Sequence, residues 1–72
     1  MEVELLLSCT IEVLQLLINL YDKNKIDYMT FMENTEIKIK FLKDHLECIK
    51  NPMEMSAAKF IIDRCEEIFM KY

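Results

Sequence analysis

The sequence predicts an all-α domain, an antiparallel three-helix hairpin or bundle over about 2–22, 28–50 and 52–70. Three observations predict it. Glycine is absent and proline occurs once, at Pro52, whereas sheet folds draw on such residues for tight turns and bulges. Apolar residues recur at steps of three and four, the spacing of one helix face, and no run alternates with a period of two. The breaks between these segments are a few residues long, so successive helices must fold back on one another.

The first helix is apolar around most of its circumference. Glu4, Ser8, Glu12, Gln15 and Asn19 form one narrow polar line, continued by Asp22, and Thr10 lies opposite. The remaining arc spans roughly 260–280° on a helical wheel, more than two neighbouring helices need to cover. A bilayer span is disfavoured by Glu12 in mid-segment. A secretory signal is disfavoured by Glu2 and Glu4 where positive charge belongs. An interfacial helix would carry lysines on its polar line, and this line has none. The expectation is a helix covered by protein on about three sides, part of the cover being a second copy of the chain. Leu6, Val13, Leu17 and Leu20 are the expected dimer contacts.

Asn24 ends this helix by taking the left-handed conformation. Asp27 caps the second, accepting from the backbone of Met29 or Thr30, and Ile26 can pack on Phe31 as a hydrophobic staple. The segment Lys25-Ile26-Asp27-Tyr28-Met29-Thr30-Phe31 resembles the G-x-I-[ST]-x-E-E-F hinge of short bacterial helical hairpins, over about a tenth of the chain, and implies no function. The second helix has a core stripe of Phe31, Thr35, Ile39, Leu42, Leu46 and Ile49. A shorter second stripe of Ile37, Phe41 and Cys48 is available to a partner. Asn51-Pro52-Met53-Glu54 starts the third helix: Asn51 caps, Pro52 occupies the first turn and Glu54 can close a capping box. That helix places Met55, Ala57, Ala58, Ile61, Ile62, Cys65, Ile68, Phe69 and Tyr72 on one side, with Phe60 and Met70 outside this arc.

Seventy-two residues make one domain, 1–72, which buries only about 60% of its unfolded surface. Domains of this size commonly need a staple, and self-association would supply it. Thirteen acidic residues against nine basic ones, net −4, do not build the positive field that nucleic acid requires. Lys38, Lys40 and Lys43 are interleaved with Glu36, Asp44 and Glu47. Three widely spaced cysteines, Cys9, Cys48 and Cys65, form no disulfide framework and fit a reducing cytoplasm.

His45 and Cys48 stand three apart and are the weak candidates for a metal or phosphotransfer site, but further ligands would have to converge from elsewhere. Glu66 and Glu67 diverge by about 100° on a helix. No catalytic constellation, cofactor motif or calcium loop is present. The functional expectation is a small non-enzymatic interaction module, a homo-oligomeric cytoplasmic regulator or adaptor of bacterial or phage type, with no nucleic-acid or membrane partner. Ile37, Phe41, Cys48, Phe60 and Met70 are its expected partner-binding residues. The alternative is an acidic helical inhibitor of a nucleic-acid-binding protein, and the third a metal or phosphotransfer bundle using His45.

Overall fold

A computed structural model describes residues 3–71 of the chain. Three helices follow one another: α1 (Val3–Asp22), α2 (Tyr28–Asp44) and α3 (Pro52–Phe69), with a 3-10 turn at Leu46–Cys48 between the last two. Each helix contacts both others, and no strand occurs among the described residues. Glu2, the expected start of the first helix, and Tyr72, expected on the third helix's apolar arc, lie outside the described residues.

One core holds the three helices together. α1 contributes Leu7, Ile11, Leu14 and Ile18, and α2 contributes Phe31, Ile39 and Leu42 with Thr35 among them. α3 adds Ala58, Ile61, Ile62, Cys65 and Ile68, and Ile49 closes the end between α2 and α3. Thr35 is fully buried, and its hydroxyl donates to the Phe31 carbonyl at 2.7 Å, so a polar group sits in the core without an unmet hydrogen bond. Phe31 is the aromatic centre, 5.0 Å from the ring of Tyr21 and 6.1 Å from that of Phe69.

The turns follow local chemistry. Asn24 is left-handed at φ 60°, and Asn24 and Lys25 donate their backbone N–H groups to Tyr21 and Leu20, which makes a Schellman cap with asparagine in glycine's usual place. Asn24→Ala removes a side chain that tolerates this conformation and should cost about 1 kcal/mol in a urea titration. Asp27 accepts from the Thr30 backbone at 2.8 Å, and Ile26 lies half-buried against the core. That backbone N–H, and after it the Thr30 hydroxyl, holds the Asp27 carboxyl below its ordinary value. A lowered folded-state pKa means the cap stabilises the fold above the unfolded carboxylate pKa and loses that contribution as pH falls through the folded one. The thermal midpoint should therefore drop below about pH 4, and by less in Asp27→Asn.

The second helix is shorter than its sequence suggests. It ends at Asp44 rather than near Lys50, and Leu46–Cys48 tighten into a 3-10 turn. Pro52 and its extended cap Asn51 need the chain already reversed, and a helix running to Lys50 would leave no residues to do so. Ile49 turns extended (φ −80°, ψ 118°) and still reaches the core. Asn51 accepts from Met53 and Glu54 as a cap should. The Glu54 carboxylate, however, reaches across to Ser8 of α1 at 2.5 Å.

Candidate interaction surface

α1 has two apolar faces, and the bundle covers one. Leu7, Ile11, Leu14 and Ile18, at steps of four, three and four, form the inner stripe. At about 100° per residue, Leu6, Cys9, Val13, Leu16 and Leu20 fall in a band about 80° wide on the far side, with Leu5 beside it. Leu5 is 59% exposed, Leu16 58%, Val13 41% and Leu6 38%, and Cys9 is exposed among them. The bundle by itself covers one of the three sides for which cover was expected, and leaves this band to be covered by something else. α1 is also long and apolar enough, by length and composition, to cross a membrane.

The two flanks of this outer band differ. On one side stand Glu12 and Asn19, and the Asn19 side-chain oxygen accepts from Gln15 at 3.3 Å. On the other are Thr10 and Leu17. The Thr10 hydroxyl is turned back onto the Leu6 carbonyl at 2.7 Å, and Leu17 is half-buried against the core. Beyond the polar flank, two contacts fasten α1 to α3. Ser8 donates to Glu54, and Arg64, which also pairs with Glu67, meets Asp22 at 2.6 Å.

Of the expected dimer residues, Leu6 and Val13 are exposed on the band, Leu20 is half-buried at its edge, and Leu17 packs partly inward. Leu5, Cys9 and Leu16 complete the band and were not singled out from sequence. Counting in alternate steps of three and four from Leu6 would have found Cys9 and Leu16. Among the expected partner residues, Ile37, Phe60 and Met70 are exposed, at 79%, 60% and 86%. Phe41 and Cys48 are instead half-buried against the core.

The His45–Cys48 pair loses the geometry that suggested it. His45 terminates α2 and Cys48 lies in the 3-10 turn, so the two do not stand on the continuous α-helix that suggested the pair. The His45 ring stacks on Phe41 at 4.5 Å, with Nδ1 3.0 Å from the Phe41 carbonyl oxygen. Among the described residues, no three His, Cys, Asp or Glu side chains are grouped to hold a metal ion. Burial, partly offset by the Arg64 charge, pushes the Cys65 thiol up to about 12, far from a nucleophile's range. A groove of about 350 Å³ between α2 and α3 is bridged at its rim by the Lys43–Glu66 ion pair at 2.6 Å, which raises the Lys43 pKa. No family model matches the chain, and neither a curated protein nor a solved structure is similar to it.

Proposed function

We propose that this protein is a small, non-enzymatic interaction module that works as a homodimer, joined through the outer face of α1, as a cytoplasmic regulator or adaptor. The observation that supports this is the outer band: a helix already packed on one side carries a second apolar seam facing water. Leu5, Leu6, Val13 and Leu16 leave on the order of 350 Å² exposed along it. A two-fold contact would remove at most twice that area. With the half-buried rim of Leu17 and Leu20 it stays below the roughly 1,200 Å² at which standard-sized interfaces begin, in the range of weak and transient pairs. Such a contact gives a weak dimer, with a dissociation constant on the order of micromolar. Ile37, Phe60 and Met70 remain for a second protein partner.

Size-exclusion chromatography with light scattering tests the reading. At about 100 μM the mass should be twice the 8.7 kDa of one chain, falling towards one chain on dilution. A single-chain mass throughout would overturn it.

A further inference from the structure

Resting on the homodimer reading, the outer face of α1 also carries the orientation of the partner. We propose that two copies pair α1 against α1 antiparallel, in a register that sets Val13 against Leu16 of the second copy and Cys9 against its Leu20.

The band has the alternate three- and four-residue spacing of a helix–helix seam, Leu6, Cys9, Val13, Leu16 and Leu20, and among the described residues of α1 no charge stands on it. A partner must bring an equally straight, equally uncharged helical seam, and the same face of a second copy is one. The flanks then choose the direction. A two-fold axis perpendicular to the helices brings each flank against its own equivalent; an axis along them brings each against the opposite flank. In the parallel arrangement the Glu12 carboxylate would lie against Leu17 of the other copy, losing water without gaining a donor. In the antiparallel one Glu12 lies beside Asn19 of the other copy, twice by symmetry. Asn19 is suited to that contact: its side-chain oxygen is engaged by Gln15, which leaves the amide N–H group to donate to a carboxylate. The apolar flanks, Thr10 with its hydroxyl turned inward and Leu17, meet one another. Antiparallel helix dipoles add to the same preference. Shifting the register by seven residues to bring Glu12 level with Glu12 sets two carboxylates together, so the Val13–Leu16 register is favoured.

Cysteine pairing reads the direction. Cys9 is the exposed thiol of the chain, and Cys48→Ser removes the half-buried one. In the proposed register two Cys9 residues are about 16 Å apart along the axis, too far for a disulfide. Leu20→Cys places a thiol facing Cys9 of the second copy. The same two positions within one helix are eleven residues apart and cannot bridge. With oxidised glutathione as oxidant, Leu20→Cys in the Cys48→Ser background should run as a covalent dimer on a non-reducing gel, linked 9 to 20. Cys48→Ser alone should stay a single chain on that gel.

A 9-to-9 disulfide in a protein that light scattering finds dimeric would overturn the orientation and leave the dimer standing. A monomer at every concentration would overturn both, as would a monomer that partitions into vesicles of zwitterionic phosphatidylcholine. A second variant needs no oxidant. Asn19→Lys pairs with Glu12 of the second copy only in the antiparallel arrangement, and should tighten dimerisation about five- to tenfold. No change in the dissociation constant would count against the proposal.

Discussion

Leu16→Asp should abolish the dimer while leaving the fold intact. Leu16 is 58% exposed in the single chain, so nothing in the core depends on it. In the paired α1 seam it would lie near the centre, and its replacement acts twice because of the two-fold symmetry. Each leucine removed forfeits about 1.5–3 kcal/mol of burial, and each new carboxylate must be desolvated as well. The expected weakening is about a thousandfold or more, so the variant should run at one chain's mass by light scattering. Its helical circular dichroism should match that of the unaltered protein. Leu17→Asp should behave differently, because Leu17 also leans on the core and its loss should lower thermal stability too. A Leu16→Asp protein that remains dimeric would place the interface elsewhere.

Phe31→Ala should leave the domain largely unfolded at 37 °C. Phe31 is fully buried and stands between Tyr21 at the end of α1 and Phe69 at the end of α3. Truncating a buried phenylalanine costs about 3–5 kcal/mol, to which lost ring–ring contacts add up to about 1.5 kcal/mol each. A chain of this length has a total stability of roughly 4–11 kcal/mol, and the lower half of that range is consumed. Far-ultraviolet circular dichroism and a urea titration should find the variant largely unfolded at 37 °C. Phe41→Ala, at a half-buried site, should lose no more than about half as much. A cooperative Phe31→Ala transition at the original midpoint would show that the core is centred elsewhere.

The three helices and their caps were legible because each rests on short-range chemistry. Asp27, Asn51 with Pro52, and Asn24 act on residues within a few positions of themselves. The end of the second helix was not legible. Leu46 and Ile49 keep the apolar spacing of a helix while the backbone has already changed to a 3-10 turn and then an extended strand-like step. Burial periodicity reports which side faces the core, not which carbonyl each N–H finds. The inner stripe of α1 was hidden for the opposite reason. When 13 of the 19 residues from Val3 to Tyr21 are apolar, the wheel has no edge from which to tell Leu7, Ile11, Leu14 and Ile18 from Leu6, Val13 and Leu16. Only the positions of the other two helices separate them. The partial burial of Phe41 and Cys48 was not legible either, because the path of the chain between Asp44 and Pro52 departs from the helix on which they were placed.

The two polar contacts between α1 and α3 have a rotational consequence. Ser8 to Glu54 near one end and Asp22 to Arg64 at the other hold α1 at two points along its length, on the same flank. Each is worth little by itself as a surface contact, about 1 kcal/mol or less. Together with four core residues on the adjacent side, they set the azimuth of the helix. α1 cannot roll about its own axis to tuck Leu5, Val13 and Leu16 beneath α2 or α3 without releasing both contacts and lifting Leu7 and Leu14 into water. The unpartnered chain therefore has no internal route to a less sticky surface. Its solubility becomes a function of concentration, low enough for single chains to stay apart or high enough for them to shield one another.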